Sequence, residues 1–530
     1  MMQALRRLWH GETRGMTMAA VIIGVAGLLS RLLGLVRDRF LATAFGAGPE
    51  LDTYYAAFRL PDLLYNLIIL GALTAGFIPV FTEYMERRGE REAWKLAEQV
   101  LSIVGIIMAG ACLLFAVSAP WIVPWTTPGF VGEQMERTIA LSRIMFLSPL
   151  LLGLSAVMGG ILQSTRRFLA FALAPLLYNV GIIFGIAVLA PHWGIAGASW
   201  GVVIGAALHL IAQATVAVRM GIRAIPWPSF QPEGVRRILW LMVPRTAGLA
   251  VTQLNLVILL ALASSLEPGS VSVFNLANNL QSVPIGLIGV SFAVAAFPAL
   301  SRAMGSRDTC AFTSALSNAA RKILFFLLPA TGFMLLLRVQ IVRLLLGDGK
   351  FDWGDTIRTT SVLGWFAVSL IAQALIPLFA RAFYARQNTW TPFWAGVAGE
   401  IVNVTAALLL RQSYGIVGLA MAFSLAAFVQ LGVLLLLLRR SCGTLSNGEL
   451  RRSFLTTLLA TIMALWVGYG LRQWVGMEYD LRQYWQVALQ AIAAAGGGGL
   501  VFFLAAWLME SRELLEFARG IMTKWRRRSV

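Results

Sequence analysis

"MTMAAVIIGVAGLLSRLLGLVRDRF", Met16–Phe40, is an apolar run that carries Arg31 in its body and Arg37, Asp38 and Arg39 within one turn near its end. About 20 apolar residues cross a hydrocarbon layer of roughly 30 Å, and runs of this kind recur from one end of the chain to the other. The chain has 530 residues, 58% of them hydrophobic and 13% charged, with a mean hydropathy of +0.74. That is far outside the range of a soluble globular protein. Only helices or closed barrels satisfy the backbone inside a bilayer. The runs are long and continuous rather than ten-residue alternating segments, which excludes a barrel. The sequence therefore specifies an all-α polytopic membrane protein.

Fourteen membrane helices are expected, at approximately 17–36, 51–81, 97–118, 138–162, 168–190, 195–218, 238–263, 271–300, 323–346, 356–380, 391–410, 415–438, 453–471 and 484–509. Taking the connecting segments alternately, the side of the N-terminus holds 29 Lys and Arg and the opposite side holds 8. The positive-inside bias makes the basic side cytoplasmic, with both termini inside. The net charge of +18 is thus topological, and it gives no reason to expect nucleic acid as a partner. Cys112, Cys310 and Cys442 suggest no disulfide framework. His10, His192 and His209 are scattered, with neither metal spacing nor the partners of a catalytic triad. The first helix lacks a small-residue cleavage site and is expected to be retained. The end of the chain, 511–530, mixes Leu514, Leu515, Phe517, Ile521, Met522 and Trp525 with charges. It is expected to be a basic amphipathic segment on the anionic inner leaflet.

An internal repeat organises the rest. "YNVGIIFGIAVLAPHWGIAGASW" from Tyr178 and "VNVTAALLLRQSYGIVGLAM" from Val402 place Asn179 and Asn403 before similar apolar runs. "GIAGASW" from Gly194 and "GIVGLAM" from Gly415 follow the same short loop. The loops "QSTRRF" and "ARQNTWTP" precede the two segments, at an offset of about 220 residues. The expected organisation is a cytoplasmic N-terminal segment (1–16), two six-helix halves (17–220 and 234–440), two extra helices (450–510) and the tail (511–530). An even number of helices per half gives parallel repeats, the kind that encloses a site at the interface and rocks about it.

On a helix, Gly27, Arg31, Gly34 and Asp38 form one stripe, with Ser30 and Arg37 beside it. At 1.5 Å per residue, Arg31 lies roughly 20 Å from the inner surface. Arg59, in "LDTYYAAFRLPDLLYN", comes to a similar depth from the other side. Two cations at one depth are costly against lipid and point to a hydrated cavity, with room left by the glycines. The alternative is that Arg31 pairs with Asp38 and Arg59 with Asp62, tying helices together. Cations expected to be buried within the helices (Arg31, Arg59, Arg143, Arg245) outnumber the acids Asp62 and Glu400, which favours an anionic substrate. Glu400, with Asn403 and Asn255 as neighbours, is a candidate for ion coupling. Either that or a protonated, hydrogen-bonded acid accounts for a carboxyl in a span. Arg245 follows Pro244 and precedes Gly248, roughly 10 Å inside the cytoplasmic surface. It either lines the cavity or snorkels to the surface.

"SRLLGLVRD", "FGAGPELDTYYAAFRLPDLL", "GALTAGFIPVFTEY", "TTPGF", "GSVSVFNLANNLQSVPIGLIGVSFAVAAFPALS", "LLGDGKFD" and "ARQNTWTP" run in order from Ser30 to Pro392. Together they resemble the MurJ/MviN lipid II flippases, of the multidrug/oligosaccharidyl-lipid/polysaccharide exporter superfamily. The resemblance implies movement of undecaprenyl-pyrophosphate-linked peptidoglycan precursor from the inner to the outer leaflet of the bacterial cell membrane by alternating access. It implies a cavity using Ser30, Arg31, Arg37, Asp38 and Asp52, and a groove for the prenyl tail at 453–471 and 484–509. Lipid II or a similar prenyl-pyrophosphate glycan, membrane lipids and other cell-wall synthesis proteins are the implied partners, with no cofactor, metal or catalytic residue. Three departures stand out. "LYNLIILGA" replaces the family's "LRRLFAEGA". The eighth helix reads "LANN", so Asn279 stands where an arginine is usual. Leu259 stands about where some members carry a sodium-binding acid. Other readings are a flippase for a different prenyl-pyrophosphate glycan, a cation exporter, or a non-transporting scaffold of envelope synthesis. No GxxxxGK[ST] motif occurs, so the sequence offers no ATPase.

Overall fold

The computed structural model describes residues 16–70, 73–222, 227, 229, 233–442, 447–479, 483–517 and 519. Among these no strand occurs, and ten helices are long and apolar enough to cross a membrane. The fourteen expected segments fall on helix, apart from residues 71–72, which lie outside the described residues, and turn residues at Phe146, Leu337, Leu346 and Met509. Many large apolar side chains on these helices point outward, among them Leu114 (65% exposed), Leu409 (72%) and Ile492 (69%). Exposed apolar area on this scale marks a surface made for lipid.

The chain forms two compact units. The first comprises residues up to Ser272 together with Asp348–Phe351. Its helices are α1 (Met16–Phe45), α2 (Pro49–Tyr65), α3 (Leu73–Arg87), α4 (Glu90–Thr126), α5 (Gly132–Met145), α6 (Leu147–Ser164), α7 (Phe168–Phe184), α8 (Ala190–Trp193), α9 (Ile195–Met220) and α10 (Glu233–Ser264). By contacts, α10 belongs with this unit. A core of large side chains, including Phe77, Phe81, Met108 and Phe146, fills its centre. The α7–α9 seam is made of glycines instead. A Cβ on Gly181 would lie 2.3 Å from the Gly205 Cα, and one on Gly185 2.3 Å from the Gly201 Cα. Two backbones this close are how membrane helices associate without a hydrophobic driving force between them.

The second unit holds α11 (Ser270–Pro284, from Val273), α12 (Ser291–Gly305), α13 (Thr309–Leu336), α14 (Arg338–Leu345), α15 (Trp353–Ala385), α16 (Trp390–Cys442), α17 (Asn447–Glu478) and α18 (Tyr484–Leu508). Small residues again bring helices together: a Cβ on Gly498 of α18 would sit 2.6 Å from the Ala464 carbonyl oxygen of α17. Beneath them Phe325 of α13 packs on Phe502 of α18, with ring centroids 5.3 Å apart.

Several expected boundaries shift, each for a local reason. The second expected helix changes to π geometry over Asn66–Leu70, and the eighth does so over Ile285–Val290. The ninth begins earlier, at Thr309, where Asp308 caps it by accepting from the Ala311 N–H at 2.8 Å. It then breaks at Leu337 into α13 and α14. The eleventh and twelfth, together α16, are two helices that meet at Gly415, whose backbone is not helical (φ 53°, ψ −133°). Gly194, about 220 residues earlier, has nearly the same conformation (φ 57°, ψ −142°), one that only glycine adopts readily.

Candidate functional site

The charged end of α1 is built against α2 and α7. Asp38 is 2% exposed and forms an ion pair with Arg37, Nη2 to Oδ1 at 2.8 Å. Arg37 Nη1 also donates to Asn179 Oδ1 of α7 at 3.4 Å. Asn179 Nδ2 in turn donates to the Ser30 carbonyl and Oγ, both at 3.4 Å, and to the Pro175 carbonyl at 3.1 Å. One buried amide thus ties Ser30 and Arg37, seven residues apart on the same face of α1. Tyr54 and Tyr55 of α2 lie within range of the Arg37 charge.

The expected Arg31–Asp38 stripe does not share one environment. Asp38 is buried and takes Arg37, its sequence neighbour, whereas Arg31 is exposed. A Cβ on Gly27 or Gly34 would meet nothing within 4 Å, so the stripe's glycines border open space.

Arg59 is a second centre. Its Nη1 lies 3.5 Å from Asp62 Oδ2, the pairing expected for a helix tie. Its Nη2 donates to Gln253 Oε1 of α10 at 3.0 Å. Its Nε is buried with no hydrogen-bond partner. A charged donor left over in this way is what an incoming anion would find. Arg143 is exposed and donates through Nε to the Ala116 carbonyl at 3.1 Å.

Asp52 is a fastener. One carboxylate oxygen accepts from the Gly269 N–H at 2.6 Å; the other accepts from the Ser272 N–H at 2.7 Å and Oγ at 2.6 Å. These bonds hold the turn ahead of α11 to the start of α2. Gly349 and Lys350 are held nearby, Lys350 N donating to the Thr43 carbonyl at 2.9 Å.

In the second unit Asn279 is half-buried, and its carbonyl accepts from Ser282 Oγ at 2.7 Å. Beside it runs a chain of amides and hydroxyls. Gln281 Nε2 donates to Asn278 Oδ1 at 3.0 Å, Gln373 Nε2 to Gln281 Oε1 at 2.9 Å and to Ser369 Oγ at 2.8 Å. Glu400 is half-buried and hydrogen-bonded to Asn403, which is 1% exposed. Asn255 is buried in the first unit, while Glu400 and Asn403 belong to the second. The Arg245 side chain lies outside the described residues, as do the N-terminal segment and most of the tail. Leu259 is buried. Among the described residues no three His, Cys, Asp or Glu gather as a metal site.

Asn179 and Gln253 were not among the expected site residues. Asn179 is a lone amide in the apolar run "YNVG" and Gln253 stands beside Asn255 in "VTQLN", and a polar side chain in a span is itself a signal.

A family model described as lipid II flippase MurJ matches residues 41–490. The probable lipid II flippase MurJ of Rhizobium tropici is 30% identical over 470 residues, 86% of this chain and 87% of that one. The lipid II flippase MurJ of Burkholderia cenocepacia is 28% identical over 476 residues, 88% and 91% of the two chains. Among solved structures, an inward closed conformation of lipid II flippase MurJ superposes with a TM-score of 0.77 at 24% identity, covering 95% of this chain and all of that one. An inward-facing multidrug resistance MATE family transporter of the MOP superfamily superposes at 0.69 with 18% identity, covering 81% and 99%. With the match extending over most of its length, this multi-pass membrane chain belongs to the lipid II flippase MurJ family.

Proposed function

We propose that this protein moves lipid II, or a closely similar prenyl-pyrophosphate glycan, from the inner to the outer leaflet of the bacterial cell membrane by alternating access of two six-helix halves. The pyrophosphate is held by Arg31, Arg37 and Arg59, with Ser30 and Asp38 setting the first helix around it. The observation that carries this reading is the unfilled donor of Arg59: a membrane guanidinium with a buried Nε and no acceptor. Guanidinium geometry and permanent charge suit a pyrophosphate. In this reading Asp52 shapes the site through the Gly269–Ser272 turn rather than by touching the substrate. Arg245 supplies the cation that Asn279 does not, and the apolar faces of α17 and α18 form the groove for the prenyl tail. Glu400 with Asn403 is the candidate for ion coupling; Asn255 stands in the first unit as a further polar group of that reading. The N-terminus and tail are cytoplasmic after fourteen crossings, as the 29-to-8 distribution of basic residues supports.

The test is replacement of a host's essential flippase by this chain, with lipid II assayed at the cell surface. Loss of a charge-assisted contact costs about 2–3 kcal/mol, so Arg31→Ala or Arg59→Ala is expected to cut transport by roughly 30- to 150-fold with membrane insertion intact. Lysine at either place restores little, because it lacks the fork. Arg245→Ala is expected to impair transport and Asn279→Arg to restore part of it. Full transport by an Arg31→Ala/Arg59→Ala double variant would overturn the reading.

A further inference from the structure

A cavity of about 570 Å³ in the first unit takes in none of the site residues described above. Its walls come from helix ends: Met85 of α3, Glu90 and Trp94 of α4, Arg167 just before α7, and Arg219 and Met220 of α9. In the orientation proposed above, these ends lie at the cytoplasmic boundary of the membrane. Arg167 is half-buried, and its Nε is sealed from solvent with no hydrogen-bond partner. Glu90, in the first turn of α4, is aimed by Trp94, whose Nε1 donates to Oε1 at 3.1 Å. Trp94 is buried, its indole lying against Gly221, where a Cβ would come within 2.8 Å of Nε1. Among the described residues neither Arg167 nor Glu90 takes part in an ion pair, although their neighbours Arg88 and Glu92 do.

A guanidinium nitrogen taken out of water without an acceptor costs free energy. A phosphate oxygen supplies the acceptor, and the planar fork suits phosphate in particular. A bare phosphate, however, would set its charge against the Glu90 carboxylate, and a bare cation would leave Arg167 unanswered. A group that carries both charges answers both residues. Glu90 is exposed and Arg167 half-buried, the order in which a lipid headgroup presents an ammonium outside its phosphate. Met85, Met220 and the indole of Trp94 add an apolar, adaptable wall for the carbons that follow.

We propose that this cavity binds a phosphoethanolamine group, with the phosphate on Arg167 and Arg219 and the ammonium on Glu90. The group comes either as the headgroup of an inner-leaflet phospholipid or as a soluble phosphate ester. A choline headgroup has no N–H to give Glu90, and a glycerol headgroup has no cation, so ethanolamine is preferred over both.

The full chain is released from nanodiscs holding equal parts of phosphatidylethanolamine, phosphatidylglycerol and phosphatidylcholine, and the retained lipids are counted by native mass spectrometry. Phosphatidylethanolamine is expected to be retained about threefold or more over each of the others, the yield of one exposed charge pair. Glu90→Gln still accepts from Trp94 but is neutral; it is expected to abolish that preference while leaving phosphatidylglycerol retention unchanged. Arg167→Gln is expected to weaken binding of all three lipids by about tenfold or more. Free phosphoethanolamine, titrated into the lipid-depleted protein, separates the sources: binding that depends on Arg167 without lipid preference assigns the site to a soluble ester. Equal retention of the three lipids together with no binding of phosphoethanolamine overturns the proposal. So does a preference or a binding that survives both Glu90→Gln and Arg167→Gln. None of these measurements needs lipid II or transport, so their failure is separable from failure of the flippase reading.

Discussion

Asn179 shows how much one neutral side chain can decide. The arginines of α1 carry the charge, yet a single amide from α7 sets where Arg37 points and how Ser30 is held. Asn179→Leu keeps the volume and removes all four contacts, so transport is expected to fall while the protein still inserts. Asn179→Asp adds a charge beside Arg37 and is expected to hold the guanidinium more tightly against Asn179's position, slowing release of an anionic substrate. Asp52 poses the opposite case. A carboxylate accepting three short hydrogen bonds is expected to act on stability first. Each such bond to a charged group is worth about 1.5–3 kcal/mol, and the losses overlap. Asp52→Ala is therefore expected to lower the unfolding free energy by about 3 kcal/mol, read as reduced thermal stability in detergent. Asp52→Asn should lose less, because its amide oxygen still accepts. Unchanged thermal stability in Asp52→Ala would return the residue to the substrate.

At the scale of elements, the two long sequence repeats carry matching irregularities. The π turns Asn66–Leu70 and Ile285–Val290 stand about 220 residues apart, each one helical stretch before a proline, Pro79 and Pro298. In each, a hydroxyl donates to a carbonyl of the π turn: Thr246 Oγ1 to Leu67 at 3.3 Å, and Ser291 Oγ to Gly286 at 3.2 Å. The left-handed helix ends at Arg166 (φ 58°) and Gln387 (φ 57°) keep the same offset. None of this was legible in the apolar pattern, because a π turn changes the hydrogen-bond partner without changing which residues are apolar. What was legible were the helices themselves, from the length of their runs, and the glycines Gly194 and Gly415, from their place after equivalent loops. The departure "LYNLIILGA" was visible as sequence, but only the backbone reveals that it falls on the π turn. At both glycines a side chain would be strained by about 1–3 kcal/mol. Gly194→Ala and Gly415→Ala are each expected to lower thermal stability, whereas Gly24→Ala, where a Cβ meets open space, is expected not to. Equal tolerance at all three would show that the two bends are not required.

For the molecule as a whole, the far end of the second unit is closed by ions rather than by apolar packing alone. Residues after α18 fold back against α13 and the start of α17. Ser453 Oγ and Ser511 Oγ both donate to Glu513, at 2.9 and 3.0 Å, and Lys322 pairs with Glu516 at 2.9 Å. Glu449 bridges two elements, bound to Arg512 at 2.8 Å and to Arg321 at 3.0 Å. The sequence leads one to expect an amphipathic segment resting on lipid; its described residues 511–517 also have protein partners, Phe517 meeting Phe326 edge-on at 5.5 Å. Spacing alone could not foretell this, since the partners lie far away along the chain. The hydrogen bond from Arg512, with the Arg321 and Arg512 charges, holds the Glu449 carboxyl below its ordinary 4.5. A carboxyl depressed in the docked form contributes to docking in full above its unpaired value and loses that contribution as pH falls through the lowered one. The segment is therefore expected to stay docked at neutral pH and to loosen only below about 4.5, and high salt should loosen it too, because the pair is exposed. A spin label at Leu515→Cys, in a background without the native cysteines, reads this as a gain in mobility on acidification. Glu449→Gln should already be mobile at pH 7 and should lose most of the acid response. A label equally immobile in both proteins from pH 7 to 4 would mean that the apolar contacts of Leu514 and Phe517 hold the segment without Glu449.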